Sequence, residues 1–351
     1  MNPIRIGIVG ATGYVGAEVV RILSGHPYVK MTVLSSRSYK GKKYSDVYPF
    51  YRGICDQEIV EADADYLSEN CDYVITALPH GVSAKLVPEL LSKGLTVIDH
   101  SGDFRFRDKE PYEKAYKLEH PFPELLKEAV YGLPEIYREK LKSAKFAANP
   151  GCYPTCSILG LAPLLKNKLI QKNSIIIDAV SGYSGAGRKS DLDYSLCEAV
   201  ESFKAYGVSN HRHTPEIEQE LSSLAGEDIC ITFTPHLAPM KRGMLATIYS
   251  DLNDDNKRLS ASDLLHIYKE YYKDEFFVRV LDENQSPETR YTSGSNFLDI
   301  GVFKDSRTGK IKILSAQDNL GKGAAAQAVQ TLNVMAGFPE TTSLFSLNQG
   351  L

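Results

Sequence analysis

The sequence lacks a long apolar run, and this absence argues against a membrane protein. No apolar stretch in its 351 residues approaches the roughly 20 that a transmembrane helix needs. An apparent strand begins at Ile4, which leaves no room for a signal peptide ahead of it. We therefore expect a cytoplasmic protein with no membrane partner.

An excess of positive charge is also missing. The chain has 40 Lys and Arg residues against 44 Asp and Glu, for a formal net charge of −4. Because nucleic-acid-binding surfaces are basic, we expect no nucleic-acid partner. Cysteine is scarce, with six scattered residues in a chain long enough to bury a core without disulfides. This scarcity favours a reducing compartment.

The first 150 residues alternate between strand-like and helix-like patterns. Residues 4–9 predict a strand, and a glycine turn follows. Val15, Val19, Ile22 and Leu23 then have helical spacing, up to Gly25 and Pro27. Two later buried strands flank a helix predicted over 83–93, in which Pro88 predicts a kink or an early end. This alternation predicts an α/β fold, a Rossmann-like doubly wound parallel sheet with helices on both faces.

The pattern changes after residue 148. Strand-like segments now follow one another without regular helices between them, namely NSIIIDAVSG, DICITFTPHL, GMLATIYSDL, FFVRVLD and GKIKILSAQDN. Turn-forming residues at 305–309 support this pattern, which predicts an α+β domain on a largely antiparallel sheet. A helix is predicted from about Gly323. We therefore divide the chain into residues 1–148, 149–318 and 319–351.

A glycine-rich turn joins the first strand to the first helix. Gly10, Gly13 and Gly16 form a G-x-x-G-x-x-G pattern, which differs from the plain G-x-G-x-x-G fingerprint. Glycines let backbone N–H groups approach a pyrophosphate, and the helix N-terminus adds positive potential. A tight strand-to-helix turn also needs glycine for steric reasons alone. The strand–turn–helix–strand context favours nucleotide binding.

The end of the second strand indicates which dinucleotide binds. A site for NAD would place Asp or Glu there, to accept hydrogen bonds from the ribose. The sequence instead has Ser35, Ser36 and Arg37, with Lys40 just beyond. Hydroxyl and guanidinium groups suit a 2′-phosphate, so we predict NADP. The alternative is a basic turn in solvent.

Cys152 lies where a helix is predicted to begin. Asn149, Pro150 and Gly151 break the preceding segment, and Pro154 suits a first helical turn. A helix N-terminus can make a thiol reactive by lowering its pKa, although many free cysteines are buried and inert. Cys156 is four residues away, but Pro154 lies between the two cysteines and no second cysteine pair follows, so we predict no metal site.

The segment NHRHTPEIEQEL offers an acid/base group. If this segment is extended, His211 and His213 face the same side and can serve one site. Pro215 begins a helix on which Glu216 could hold one imidazole in a chosen tautomer. A pair of histidines alone is more often a surface feature. Beside a reactive cysteine, it is the best candidate for proton transfer.

At these segments the sequence resembles the N-acetyl-gamma-glutamyl-phosphate reductases. The motifs that carry the resemblance are GATGYVG, SSR, NPGCYPT, SGYSGAGRK, HRHTPEIEQEL, FTPHLAPMKRG and DNLGKGAAAQAVQ. The resemblance implies that Cys152 is the nucleophile and His211 the acid/base, with His213 and Glu216 as neighbours. It also implies a homodimer or homotetramer and a last helix that packs back on the first domain.

The candidate cofactor residues come from the same motifs. They are Gly10, Thr12, Gly13, Tyr14, Val15, Gly16, Ser35, Ser36, Arg37 and Asn319. For the phosphate of the substrate we expect Ser184, Gly185 and Arg188 on a glycine-rich loop, together with Arg242. The loop could instead be only a flexible crossing, and Arg242 only a surface charge.

The resemblance implies an NADP-dependent acyl-phosphate reductase. The expected reaction converts N-acetyl-glutamyl 5-phosphate to the 5-semialdehyde through a cysteine thioester, in arginine biosynthesis. Alternatives are a carrier-protein-linked aminoadipyl phosphate reductase, which would want a basic surface, and an aspartate-semialdehyde dehydrogenase. A noncatalytic NADP sensor, with Cys152 merely packed at a turn, is the alternative from another class.

Overall fold

The computed structural model describes residues 3–188 and 192–346. The chain forms two compact units. The first contains the chain up to Pro150 together with Ala324–Phe345, and the second contains Gly151–Gly323. Among the described residues, every helix is too short or too polar to cross a bilayer.

The first unit is built on a six-stranded sheet in the order β2-β1-β3-β4-β6-β5, in which all pairs are parallel. Its strands are β1 (Ile4–Val9), β2 (Val29–Ser35), β3 (Tyr73–Thr76), β4 (Thr96–Asp99), β5 (Val130–Tyr131) and β6 (Phe146–Ala148). Its helices are α1 (Tyr14–Leu23), α2 (Tyr44–Val47), α3 (Ala64–Asn70), α4 (Ser83–Ser92), α5 (Lys109–Tyr116) and α6 (Pro134–Leu141). The central strands are buried along nearly their whole length, as strands covered on both faces must be. The predicted Rossmann-like fold is confirmed.

The prediction that Pro88 kinks or shortens its helix is wrong. The helix α4 continues through Pro88 to Ser92. Ala84, Val87 and Leu90 lie in the apolar core of the first unit. This packing outweighs the one backbone hydrogen bond that a proline cannot donate.

The second unit holds a seven-stranded mixed sheet in the order β11-β12-β13-β10-β7-β9-β8. Its strands are β7 (Ile176–Gly182), β8 (Lys204–Ala205), β9 (Thr232–Ala238), β10 (Met244–Ser250), β11 (Val278–Val280), β12 (Leu298–Lys304) and β13 (Ile311–Gln317). Its helices are α7 (Cys152–Lys166), α8 (Leu196–Ala199), α9 (Thr214–Ala225), α10 (Ala261–Tyr271) and α11 (Thr289–Thr292). Among the described residues of this unit, only β7–β9 and β11–β12 pair in parallel, so the largely antiparallel α+β prediction is confirmed.

The helix α7 explains where the core of the second unit lies. Almost all of its residues are buried, from Tyr153 to Leu165. It packs against β10, β13 and α9, and Gly160 lets it approach because a Cβ there would lie 2.8 Å from Ile248 Cδ1. The helix that begins at the candidate nucleophile is therefore the most deeply packed helix of its unit.

The last helix, α12 (Ala326–Ala336), belongs to the first unit. A π-helical turn at Gly321–Ala325 precedes it, and Gly337 ends it in a left-handed conformation. It packs against α1, α6 and β4, and it is buried from Ala326 to Met335. The first unit is thus completed by residues from the end of the chain.

Candidate active site

Cys152 is the first residue of α7 and is partly exposed. The extended backbone of Gly151 (φ −70°, ψ 157°) leads the chain into the helix. Pro154 occupies the third helical position, where an N–H has no partner inside the helix. The predicted helix start is confirmed. The partial positive charge of a helix N-terminus favours negative charge on a sulfur placed there.

Cys156, one helical turn further on, is in a different environment. It is fully buried, and its Sγ donates to the backbone oxygen of Ser315 at 3.1 Å. Burial raises the pKa of the Cys156 thiol to about 12. Of the two cysteines, Cys152 is therefore the one placed to act as a thiolate.

The segment after β13 fixes the position of Cys152. The Nε2 of Gln317 donates to the backbone oxygen of Cys152 at 2.7 Å. Gly323 lies so close that a Cβ on it would come within 2.9 Å of the Cys152 Cβ. The side chain of Cys152 is therefore confined on this side by a position where an added Cβ would force a neighbouring atom to shift.

Glu216 connects the histidine segment to the nucleophile. It lies in the first turn of α9, is fully buried, and its Oε1 accepts the backbone N–H of Gly151 at 3.0 Å. The residue before Cys152 is thus held by a carboxylate from α9. This contact orders the approach to α7 in the absence of a side-chain cap on that helix.

The His211–His213 segment is not extended, so the condition under which the two side chains would face the same side is not met. The backbone N–H of Thr214 donates to the oxygen of His211 at 3.0 Å, and His213 has helical φ and ψ. The segment is a turn because α9 begins directly after it. The two imidazole rings still lie together, with centroids 4.9 Å apart.

The ring of His211 is enclosed by aromatic side chains. Tyr153, Tyr206 and Phe233 approach it edge-on, with centroids 5.3 to 5.6 Å from its own. On another side, a Cβ on Gly207 would lie 3.1 Å from the His211 Cδ2. Burial, with a smaller contribution from the Arg212 charge, lowers the pKa of His211 to about 4. The ring is therefore neutral at physiological pH.

A backbone contact also sets the tautomer of His211. The N–H of His213 donates to the Nδ1 of His211 at 3.2 Å. Because Nδ1 accepts this bond, the neutral ring carries its proton on Nε2. His211 is thus prepared to donate a hydrogen bond from Nε2.

The glycines of the turn before α1 differ in what requires them: two are needed for packing, and one is available for binding. A Cβ on Gly10 would lie 2.3 Å from the Ala77 oxygen, and one on Gly16 would lie 2.2 Å from the Gly10 oxygen. These two glycines are required by the fold. A Cβ on Gly13 would instead meet only the Gly10 oxygen, at an ordinary 3.5 Å. Gly13 is the N-cap of α1, so its bare backbone suits the close approach of a pyrophosphate.

The glycine turn is joined to the end of β2. Thr12 Oγ1 and Ser36 Oγ are hydrogen-bonded at 2.8 Å, and the Gly10 N–H donates to the Ser35 oxygen at 2.9 Å. Tyr14, at the start of α1, is 41% exposed, and Val15 beside it is partly buried. The cofactor residues predicted in the first unit therefore form one continuous surface, which fits a dinucleotide.

Two cations extend from this surface. The side chains of Arg37 and Lys40 are 82% and 64% exposed. Both lie near Glu61, whose Oε1 is 3.7 Å from Arg37 Nε and whose Oε2 is 3.4 Å from Lys40 Nζ. Their exposure to solvent fits a role in binding a 2′-phosphate.

The two segments predicted to bind the substrate phosphate pair with each other. The N–H groups of Tyr183 and Ser184 donate to the oxygens of Met240 and Lys241, at 3.0 and 3.2 Å. The neighbouring Arg242 forms an ion pair with Asp318, with Nε 2.8 Å from Oδ2. The structure therefore brings Ser184 and Gly185 close to the segment of Arg242, and Arg242 is more than a surface charge.

Asn319 and Arg188 take different positions in the second unit. Asn319 donates from Nδ2 to Ser184 Oγ at 2.9 Å and accepts the Gly243 N–H at 2.9 Å. It therefore joins the two phosphate segments. Arg188 is exposed and borders residues 189–191, which lie outside the described part of the chain.

Two sequence families match the chain, one on each part. Residues 5–144 match the family described as "Semialdehyde dehydrogenase, NAD binding domain". Residues 152–319 match "Semialdehyde dehydrogenase, dimerisation domain". An N-acetyl-gamma-glutamyl-phosphate reductase of Acetivibrio thermocellus is 56% identical over 339 residues, which cover 97% of both chains. The chain belongs to the N-acetyl-gamma-glutamyl-phosphate reductase family.

Further comparisons agree with this family. An N-acetyl-gamma-glutamyl-phosphate reductase of Desulforamulus reducens is 51% identical, over 97% of this chain and 98% of that one. Among solved structures, aspartate semialdehyde dehydrogenase II of Vibrio cholerae gives a TM-score of 0.73 at 16% identity, covering 96% of this chain and 99% of that chain. The enzyme of Candida albicans with NADP gives 0.71 at 18% identity, covering 95% and 99%. At such identity these two structures show a shared fold.

Several residues that shape the reductase site were missed by sequence reasoning. They are Glu61, Tyr206, Gly207, Gln317 and Gly323. Gly323 lies in the DNLGKG motif, so its glycine was a usable signal. The others follow no local pattern, because each acts on a residue far away in the sequence. The predicted cofactor, catalytic and substrate assignments themselves stay predictions.

Proposed function

We propose that this chain reduces N-acetyl-glutamyl 5-phosphate to N-acetyl-glutamate 5-semialdehyde and phosphate with NADPH, in arginine biosynthesis. The observation that carries the proposal is the partly exposed Cys152 at the first position of α7. Its neighbour Gly151 is held by Glu216, and its own oxygen is held by Gln317. A thiol fixed at a helix N-terminus is the arrangement that nucleophilic catalysis needs.

The first half of the reaction forms a thioester. The sulfur of Cys152 attacks the acyl carbon, a C–S bond forms, and the C–O bond to phosphate breaks. Cys152 reacts as the thiolate, and the departing phosphate takes the electron pair of the broken bond and one proton, which reaches it from solvent through His211. His211 donates from Nε2 to the acyl oxygen while negative charge gathers there.

The second half returns the enzyme to its starting state. NADPH, when bound, supplies the hydride that reduces the thioester carbon. Cys152 then carries a thiohemiacetal oxyanion, which His211 stabilises through the same Nε2–H. Collapse of this species breaks the C–S bond, releases the aldehyde and restores the thiolate of Cys152. The reaction requires no metal ion.

We propose that one of the pair His211 and His213 transfers the proton to the departing phosphate. Sequence reasoning assigned it to His211, and we retain that proposal with one condition. Because Nδ1 of His211 accepts the His213 N–H, protonation of the ring at Nδ1 requires this contact to open. While this contact is open, Glu216 still holds the start of α9 beside Cys152 through its hydrogen bond to Gly151.

The remaining assignments follow the two units. We propose that residues 1–148 bind NADP through the glycine turn, Ser35, Ser36 and Arg37, and that residues 149–318 carry catalysis and dimerisation. Residues 319–351 contribute Asn319, at the nicotinamide end, and the last helix. Ser184, Gly185, Arg188 and Arg242 bind the substrate phosphate. We propose a homodimer or homotetramer without nucleic-acid partners. A location in the cytoplasm fits this function, because the nucleophile must remain a free thiol.

Replacement of the nucleophile tests the proposal. Cys152→Ser should abolish phosphate-dependent reduction of NADP with N-acetyl-glutamate semialdehyde, while NADPH binding stays within about twofold, because the serine hydroxyl is a far weaker nucleophile at neutral pH. The exposed Cys230→Ser is the control and should retain full activity. Robust turnover by Cys152→Ser would contradict the mechanism. Faster turnover of the unacetylated, aminoadipyl or aspartate semialdehyde would favour an alternative enzyme.

A further inference from the structure

Glu61 is a carboxylate where sequence reasoning found none. The end of β2 carries hydroxyl and guanidinium groups, which favour NADP over NAD. The segment containing Glu61 runs beside this end of β2, since the Ser36 N–H donates to the Val60 oxygen at 3.0 Å and the Ala62 N–H donates to Ser35 Oγ at 3.2 Å. The fold thus brings an acidic side chain to the place where an NAD site would have one.

The carboxylate of Glu61 is also shared between both cations of this surface. One oxygen faces Arg37 at 3.7 Å and the other faces Lys40 at 3.4 Å. All three side chains are about half exposed or more, so the pairs are weak and exchange readily with other anions. A phosphate that binds Arg37 and Lys40 must compete with Glu61 for them.

We infer that Glu61 narrows the difference in affinity of this site between NADPH and NADH. The inference rests on the proposed function, and it adds a residue that weakens the preference for NADPH. The 2′-phosphate of NADPH carries negative charge, which Glu61 repels and whose partners it occupies. The ribose 2′-hydroxyl of NADH is instead a hydrogen-bond donor that a carboxylate can accept. Glu61 therefore disfavours NADPH and helps NADH.

The size of the effect follows from charge repulsion near a protein surface. A single negative charge a few ångströms from a phosphate in water changes its affinity by roughly three- to tenfold. Salt screens such exposed charges over about 10 Å at 0.1 M ionic strength. The effect should therefore be largest in dilute buffer and shrink as salt is added.

Removal of the charge from Glu61 tests the inference. Dissociation constants of NADPH and NADH are measured by fluorescence titration for the full-length wild type and for Glu61→Gln, at low and high salt. We expect Glu61→Gln to bind NADPH roughly three- to tenfold more tightly and NADH equally or more weakly. The gain for NADPH should diminish at high salt.

Two further variants serve as controls. Glu69→Gln removes the same charge from an exposed position of α3 and should change neither affinity by more than about twofold. Arg37→Ala should weaken the binding of NADPH and leave the affinity for NADH nearly unchanged. This difference identifies the 2′-phosphate as the group that Arg37 binds. In a background of Arg37→Ala, the gain from Glu61→Gln should be smaller.

The outcomes separate this inference from the proposed function. An unchanged NADPH-to-NADH ratio in Glu61→Gln, with a wild type that binds NADPH, would overturn the role of Glu61 alone. Equal gains for both cofactors would do the same. A wild type that binds neither dinucleotide would overturn both this inference and the proposed function.

Discussion

Single residues place the sulfur of Cys152 more tightly than the helix alone could. Gly323 matters because its Cα faces the Cys152 Cβ, and Gln317 holds the Cys152 oxygen. The sulfur therefore has few positions available. Such confinement favours catalysis, since a displacement of about 1 Å can cost a hundredfold in rate.

A methyl group at position 323 tests this confinement. Gly323→Ala should lower kcat by roughly tenfold or more, because the added Cβ displaces Cys152. Steady-state rates and thiol-labelling rates of Cys152 are measured in parallel. Gly25→Ala is the control, since a Cβ there meets no atom within 4 Å. Unchanged kinetics in Gly323→Ala would contradict the confinement, because the segment around Gly323 would then have moved to accommodate the methyl group.

For single residues, the sequence predicted which side chains are candidates for the site better than it predicted the environment of each side chain. Cys152 could be found because glycine and proline beside it mark a helix start. The neutral state and tautomer of His211 could not, because they depend on Tyr206, Gly207 and a turn in place of an extended segment. Burial and long-range contacts are properties of the folded chain.

Among the elements, α12 is unusual for a buried helix because polar side chains lie along it. Gln327 donates to the Gly132 oxygen at 2.9 Å, and Gln330 donates to Glu135 Oε1 at 2.9 Å. Asn333 donates to the oxygens of Glu340 and Thr342 at 3.1 and 3.0 Å. These bonds fix the helix in one position, which apolar packing alone would not specify.

Asn333 offers a direct test of this fixation. Its Oδ1 also pairs with His26 Nε2 at 2.9 Å, so Asn333→Ala loses several buried hydrogen bonds. We expect a loss of about 2–3 kcal/mol in the free energy of unfolding and a Tm lower by about 5–10 °C. Thermal denaturation followed by circular dichroism measures it. The control Asn70→Ala removes one exposed hydrogen bond, from Asn70 Nδ2 to the Tyr66 oxygen, and should shift Tm by less than about 2 °C.

The elements themselves were predicted unevenly. The strands β1 to β4 and the turn at 305–309 followed from apolar runs and turn residues, whereas the short strands β5 and β6 were missed. The strand β12 was missed because Gly301 interrupts its pattern, although a Cβ there would lie only 2.9 Å from the Gln285 oxygen. α10 was missed as well, although Ser260 and Asp263 form a capping box and Leu264, Leu265 and Tyr268 have helical spacing.

The whole molecule responds to acid through its buried histidines. Burial lowers the pKa of His26 and of His120, and it lowers the pKa of His100 to about 3 and that of His211 to about 4. The unfolded chain, with histidine pKa values near 6.5, therefore binds more protons between about pH 6.5 and 4. Stability should be intact above pH 6.5 and fall as the pH is lowered through this window.

Urea denaturation at a series of pH values measures this dependence. The free energy of unfolding should decrease from pH 7 to pH 4.5, and His211→Gln should make the slope shallower. For His211 alone, a shift from 6.5 to about 4 corresponds to roughly 3 kcal/mol at the acid end. The exposed His266→Gln should leave the slope unchanged. A slope equal in both variants would contradict the assignment to His211.

The position of α12 has a consequence for synthesis on the ribosome. The chain leaves the first unit after Pro150 and returns to it at Ala324. During translation the parallel sheet emerges first. The apolar surface of α1 and α6 that α12 covers stays exposed until the entire second unit and α12 have been synthesised. The nascent protein is therefore expected to need protection by chaperones for longer than its first unit alone would require.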